Sequence, residues 1–474
     1  MDHLPLEPDL DEMAELGDLV LDRVVSFVES LPDRPVSPEA PLANPGNVRA
    51  FLAPPPEQPG HPKPLLDRLD QATAGSIEMG SPGFMAYIGS GGLYTSALSE
   101  LYTRVINRFG SISFAAPQFT AMEESVLRWI AREVCGLPDG SGGLLTTGGS
   151  MATFSAVIAA RHHHLGEDIA DGTVYVTPFT HHSVAKAARL AGIRQRNVRV
   201  VPATADLRMD IAAAKAMIRA DRQAGLRPFL LVGSAGTTDT GTVDPLPAMA
   251  DLAVQEGLWF HADAAYGGFF RLTDRGRRQL AGLERADSVT LDPHKTLFLG
   301  YGTGALIVRD PATLRAAHSG TADYLRDVEA SQTLPDYADM GPELSREVRG
   351  IRVWLPLHLH GVAAFREALD EKLDLTDYAY GRLLDIPALE VPWRPHLSVV
   401  AFRARARDDS PAAAAEADEE TQRLIDRVNG TRRVLLSSTV IGGRLAIRIA
   451  IVSHRTHRDR VTELLDLIAA EVSS

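Results

Sequence analysis

The sequence has a single cysteine, Cys135, in 474 residues. One thiol cannot close an internal disulfide, and a zinc site built from several cysteines is excluded. No apolar run approaches the length of a membrane span. The opening stretch MDHLPLEPDLDEMAEL is acidic, with no basic segment ahead of an apolar one, so it does not read as a secretory signal. These absences lead us to expect a cytoplasmic protein with no membrane partner. Positive charge is in deficit: 48 Lys and Arg stand against 61 Asp and Glu, a net charge of −13. Nucleic acid and anionic membrane are therefore not expected as the main partner. A small anionic ligand needs only a local pocket and stays open.

What is present is ordinary for a globular chain: 45% hydrophobic and 23% charged residues. The length suits one large domain and a smaller one. Met13, Leu16, Leu19, Val20, Val24 and Val25 recur at near-helical spacing and predict an amphipathic helix stopped at Leu31-Pro32. Pro35 to Pro64 is too proline-dense for regular structure and reads as an extended arm.

From about residue 120 onward, β-branched apolar runs alternate with Ala-rich helical stretches. Strands are predicted at Thr173–Val176, Val198–Pro202, Phe229–Gly233, Trp259–His261, Ser288–Leu291 and Gly304–Val308. Helices are predicted at Ser150–Arg161, Ser183–Ala191, Ile211–Ala224 and Leu246–Gln255. Near-continuous apolar strands separated by helices imply an α/β fold with a mainly parallel sheet covered on both faces. After Val353 comes a long helix near Trp354–Leu384, then strands near Leu397–Arg403 and Arg444–Val452, and a last helix near His457–Val472. That is a small α+β C-terminal domain. Pro411–Glu420 between them reads as a solvated loop or helix start. The expected division is an arm over 1–75, an α/β domain over 76–355 and the small domain over 356–474.

Four short stretches carry chemistry. In DPHKTLFLGYGTG (292–304), Lys295 sits between an apolar strand and a glycine-rich turn. A lysine is usually a solvated surface charge, but one that is buried becomes a nucleophilic amine. In HADAAYGG (261–268), Asp263 ends an apolar strand, where open α/β sheets place ligand contacts. TTGGSMAT (146–153) runs from a turn into a helix whose first N–H groups favour phosphate, and Gly149 allows close approach beside Ser150. His181 and His182 follow a strand in THHSVAKAARLAG (180–192); no carboxylate or cysteine stands at ligand spacing, so we expect no metal site. Read singly, each stretch has a bland alternative: a loop aspartate, a Gly-Ser helix start, a capping histidine. Together they fit pyridoxal 5'-phosphate, which can use all four.

Their order and wording, with SAGTTDTGTVDPL (234–246) and SPGFMAYIGS (81–90), resemble the group II pyridoxal-phosphate-dependent amino acid decarboxylases, over most of residues 75–460. The resemblance implies a fold-type I architecture with a seven-stranded sheet and a homodimer with active sites at its interface. It implies that Lys295 is the Schiff-base lysine, that Asp263 pairs with the pyridine nitrogen and that His181, rather than His182, stacks on the ring. Gly149, Ser150 and His294 fall at phosphate contacts, and Thr238 and Ala265 lie beside the ring. Arg448 matches an arginine placed near the substrate carboxylate. Tyr337 matches the loop tyrosine that protonates the α-carbon and favours amine over aldehyde. Tyr87, Ile88, Ser90, Ile112 and Phe114 are placed by it in the partner's substrate pocket, an apolar lining.

The chain departs from the family pattern at Thr296, where many members carry tryptophan, and in Gly83–Ser90, which lacks a dense aromatic run. Both departures put a dopa- or tryptophan-type substrate in doubt. The expected activity is decarboxylation of a neutral L-amino acid, aliphatic or aromatic, to its amine. The alternatives are an oxygen-consuming aldehyde synthase, another fold-type I enzyme (aminotransferase or lyase) and a non-catalytic scaffold. The last is disfavoured by the presence of Lys295, Asp263 and His181 together.

Overall fold

The computed structural model describes residues 6–39, 48–320 and 334–473. Its centre is a seven-stranded sheet: β1 (Gly142–Thr146), β2 (Gly172–Val176), β3 (Val198–Val200), β4 (Arg227–Ser234), β5 (Trp259–Asp263), β6 (Ser288–Leu291) and β7 (Gly304–Val308). The order across it is β1-β7-β6-β5-β4-β2-β3. Only β7 runs against its neighbours. The six strands read from apolar runs are all present. β1 was not among them, because Gly142, Gly143 and Thr146 look like a turn. The reason for glycine there is contact: a Cβ on Gly143 would lie 1.8 Å from the Leu306 carbonyl of β7.

Both sheet faces are buried, as continuous apolar strands require. Helix Gly149–Leu165 presses Ala152, Ala156, Val157, Ala159 and Ala160 onto one of them. A second, antiparallel sheet is built from β8 (Leu389–Glu390), β9 (Val399–Ala404), β10 (Ser437–Ile441) and β11 (Arg444–Ala450), in the order β10-β11-β9-β8. Val400 and Phe402 of β9 share an apolar cluster with Ile447 and Ile449 of β11 and with Leu464 and Ile468 of the last helix. Pro411–Gly430 is one 20-residue helix, longer than the loop or helix start expected. The helical stretch Ile351–Leu384 joins the two bodies: Val353, Phe365 and Leu369 belong to the first core, Leu375, Ala379 and Leu383 to the second. It breaks at Gly361, which leaves helical geometry.

The N-terminal helix Leu10–Ser30 forms as expected, started by a capping box between Asp9 and Glu12. Of the proline-rich arm, residues 40–47 lie outside the described residues, and its end is a second helix, Pro62–Ala74, with prolines at its start. Neither helix buries a residue. Among the described residues no helix is long and apolar enough to cross a membrane.

One buried charge network braces the end of β1. Glu123 and Arg346, both nearly inaccessible, form an ion pair. Glu123 Oε1 accepts from Leu145 N–H, and Oε2 from Gly350 N–H. Arg346 and Arg349 both donate to the Leu145 carbonyl, at 3.0 and 3.3 Å. Breaking such a pair leaves an uncompensated charge in a dry interior. We expect Glu123→Ala to lower the unfolding free energy by about 3–5 kcal/mol, read from urea denaturation. A loss below about 1 kcal/mol, the value of a surface pair, would show that the network does not hold β1.

Candidate active site

The C-terminal ends of the parallel strands converge on a cavity of about 330 Å³. β1 ends at Thr146, and Thr147 to Ser150 carry the chain into helix Gly149–Leu165. β5 ends at Asp263. β6 ends at Leu291, and one turn, Pro293–Thr296, presents Lys295. Gly149, Ser150, His181, Thr238, Asp263, Ala265, His294 and Lys295 all line this space. Every cofactor residue expected from sequence is thus in one place, at the edge where such sheets hold ligands.

Lys295 Nζ lies 2.9 Å from Asp292 Oδ2. Asp292 is almost fully buried, and its Oδ1 has no hydrogen-bond partner among the described residues. Sequence reasoning missed Asp292 as a site residue. The signal was its position three residues before the lysine across a proline-started turn, which puts the two side chains on one face. The helix start is fitted tightly to the same carboxylate: a Cβ on residue 149 would come 2.8 Å from Asp292 Oδ2, so that position takes glycine. Ser90 donates to the carbonyls of His294 and Leu299 and braces the lysine turn from behind.

Asp263 Oδ1 accepts from Ala265 N–H at 3.2 Å. His181 Nδ1 lies 2.7 Å from the Ser183 hydroxyl, which fixes the ring's orientation. Burial pushes this ring below the ordinary histidine range, against the pull of the Asp263 carboxylate, and keeps it neutral. His294 Nδ1 is 2.6 Å from the Thr303 carbonyl. A carbonyl only accepts, so the proton sits on Nδ1 and Nε2 is left for a ligand. Thr147, Met151, Thr153, Ser234, Thr237, Tyr266, Tyr301 and Gly302 also line the cavity and were not foreseen.

The donor set fits pyridoxal 5'-phosphate. Free N–H groups at the start of a 17-residue helix suit a phosphate, the carboxylate at the end of β5 suits a ring nitrogen, and the amine suits an aldehyde. The orphaned Asp292 oxygen shows that the lysine end of the cavity is built for more polar contacts than the chain alone supplies.

Tyr337 lies in the short turn Tyr337–Asp339, 1% exposed, with the Arg346 guanidinium 4.5 Å from its ring centre. It does not line the cavity of this chain, and its hydroxyl has no partner among the described residues. Ser90 is buried, and its hydroxyl donates within its own chain. Of the other expected substrate contacts, Tyr87 and Phe114 are exposed, Ile88 is half-buried and Ile112 is buried; none lines the cavity of this chain. Arg448, on β11, is 4% exposed and does not line the cavity of this chain, though it interacts electrostatically with Tyr266, which does. Its Nη1 donates to Ser437, but Nε and Nη2 have no partner among the described residues, and burial pulls the guanidinium below its usual range.

The strand ends, the lysine turn and the phosphate-binding helix start define a pyridoxal-phosphate enzyme of fold type I. Comparison with known proteins carries this to a family. Residues 45–405 match the pyridoxal-dependent decarboxylase conserved domain, and the chain belongs to that family of pyridoxal-phosphate-dependent carboxy-lyases. It is 30% identical to an aromatic-L-amino-acid decarboxylase of Bacillus atrophaeus, over 98% of this chain and 96% of that one. It is 29% identical to a phenylacetaldehyde synthase of Arabidopsis thaliana, again over 98% and 96%. The solved structure of Oryza sativa TDC with PLP and tryptamine superposes with a TM-score of 0.93 at 28% identity, covering 99% of each chain.

If Tyr337 protonates the α-carbon, as expected from sequence, Tyr337→Phe should lower the ratio of amine to aldehyde product. An unchanged ratio would remove Tyr337 from that role.

Proposed function

We propose that this enzyme decarboxylates a neutral L-amino acid, aromatic or aliphatic, releasing the amine and CO2. The observation that carries the reading is the convergence of Lys295, Asp263, His181 and the Gly149–Ser150 helix start on one cavity. Pyridoxal phosphate, when bound, supplies the electron sink that a carbanion at the α-carbon needs. Around it, Lys295 would be the residue that holds the cofactor by its aldehyde group. Asp263 holds the proton of the ring nitrogen and so keeps the sink electron-poor. His181, neutral and oriented by Ser183, covers the ring face and excludes water from the reacting carbon. The N–H groups of Gly149 and Ser150 hold the phosphate, and His294 lines the cavity beside Gly148. Arg448, buried with two unpaired nitrogens, is the counter-charge for a substrate carboxylate.

The side chain is inferred from charge. Lys295 is the only Lys or Arg lining the cavity among the described residues, against Asp263 and Asp292. A second substrate carboxylate there would be desolvated without a partner. The relatives named for aromatic amino acids support the aromatic member of the neutral class. A second reading, oxygen-dependent aldehyde formation, is favoured by the likeness to a phenylacetaldehyde synthase.

A homodimer with the site at its interface is also inferred. The N-terminal helices bury nothing within the chain and expose Leu10, Val25, Leu65 and Leu69. Helix Tyr94–Ile106 also exposes Leu101 and Val105. Exposed apolar side chains on helices that bury little within the chain suit an interface between chains. Sedimentation velocity should give a two-chain species; a single-chain species at micromolar concentration would contradict it.

The function is tested by mass spectrometry of products after the cofactor-loaded protein meets each standard L-amino acid, with and without oxygen. The expected result is an amine equal to one aromatic or aliphatic substrate minus CO2, formed in both conditions. Aldehyde that disappears without oxygen would establish the second reading. Lys295→Ala should abolish turnover, and Asp263→Ala should reduce it by several orders of magnitude; full activity in either would overturn the assignment.

A further inference from the structure

Beneath Asp263, on the sheet face that packs against helix Gly149–Leu165, an otherwise apolar core carries a column of polar side chains. Alternation along β5 puts Trp259, His261 and Asp263 on one face. The parallel register sets His261 beside Ser288 and Asp263 beside Thr290 of β6. His261 is fully buried, and both its ring nitrogens are engaged. Nδ1 lies 2.8 Å from Ser288 Oγ, which also accepts from the Trp259 indole N–H at 2.8 Å. Nε2 lies 3.4 Å from Thr290 Oγ1, and Thr290 lies 3.4 Å from Thr153, a residue of the cavity wall. The column therefore runs from Trp259, whose ring meets those of His163 and His164, up to the cavity.

Burying an imidazole, an indole N–H and three hydroxyls in a core costs free energy unless every one is paired. Apolar residues would fill the same volume at no such risk, as they do elsewhere on these strands. The column lies directly under the one carboxylate of β5, and that carboxylate interacts electrostatically with the His261 ring. Burial pushes His261 down to about 4, so the ring is neutral and offers a fixed dipole rather than a charge that would compete with the cofactor for Asp263.

We propose that His261 is a positioning residue: by tying Ser288 on one ring nitrogen and Thr290 on the other, it fixes the floor on which the Asp263 carboxylate meets the cofactor's ring nitrogen. The inference rests on the reading of Asp263 given above. It assigns to His261 no contact with substrate or cofactor.

The test compares three variants of the full-length protein: His261→Gln, His261→Phe and Asp263→Asn. For each, the dissociation constant of pyridoxal phosphate and the absorption spectrum of the bound cofactor are measured. Glutamine places an amide, able to donate or accept, near the position of Nε2; phenylalanine keeps the volume and removes the polarity. His261→Phe should weaken cofactor binding by about tenfold or more, the usual cost of removing a partner that orients a ligating group, and shift the bound spectrum in the direction that Asp263→Asn shifts it. His261→Gln should stay within about threefold of the parent, with its spectrum. If phenylalanine is tolerated as well as glutamine, or if both fail equally with an unshifted spectrum, the residue only fills space and the proposal falls. Should His261→Phe not fold, His261→Asn replaces it, since asparagine mimics Nδ1 and removes the ring contact to Thr290; the same tenfold loss is then expected. An Asp263→Asn variant with unchanged affinity and spectrum would sink the reading of Asp263 itself, and the inference with it. An Asp263→Asn effect without a His261→Phe effect would sink the inference alone.

Discussion

The site depends on an ion pair between a half-buried lysine and a buried carboxylate: Lys295 Nζ against Asp292 Oδ2 at 2.9 Å. A lysine placed at the end of an apolar strand, among buried residues, would point outward if nothing held it, because an unpaired ammonium is costly to desolvate. Asp292 gives it a partner three residues back on the same turn. The turn itself is fastened by Ser90, by the backbone of Thr303 and by the Thr296 hydroxyl on the Tyr266 carbonyl. Thr296 thus has a structural task of its own. The helix start at Gly149 fits against the same carboxylate, so phosphate cradle and amine are set relative to one another through Asp292.

That constraint explains how the larger scaffold is arranged. β1 brings the cradle, β6 brings the lysine, and antiparallel β7 lies between them in the sheet. The gap is tolerable only because Gly143 lets β1 pack onto the β7 backbone and because Glu123, Arg346 and Arg349 hold Leu145 from the outside. These groups touch no ligand, yet they decide where Thr146 to Ser150 emerge. The Tyr337 ring packs against this brace, covered by Arg346.

Much of this was legible in the sequence, and the exceptions share a physical cause. Strands that bury both faces write themselves as apolar runs, so β2 to β7 could be read. Residues whose chemistry is unusual in their place, such as Lys295, Asp263 and His181, could be read as well, since each stands at a strand end. β1 was hidden because its glycines answer a neighbour, Leu306, 163 positions away. Asp292 was hidden in plain view beside the lysine, as a residue that reads equally well as a helix start. His261 sat inside the motif that revealed Asp263, but its partners lie on another strand, and the register of β5 with β6 is not written in either one. The substrate side was the least legible, because Tyr87 and Phe114 face outward and Arg448 comes from the second sheet.

The central claim is that Lys295, held by Asp292, is the amine that takes the cofactor. The most direct measurement is borohydride reduction of the cofactor-loaded protein, followed by digestion and mass spectrometry of the modified peptide. The account predicts one pyridoxyl adduct per chain, on Lys295, in the peptide that contains Asp292-Pro293-His294. An adduct on another lysine, or none on a protein that retains its cofactor, would contradict it.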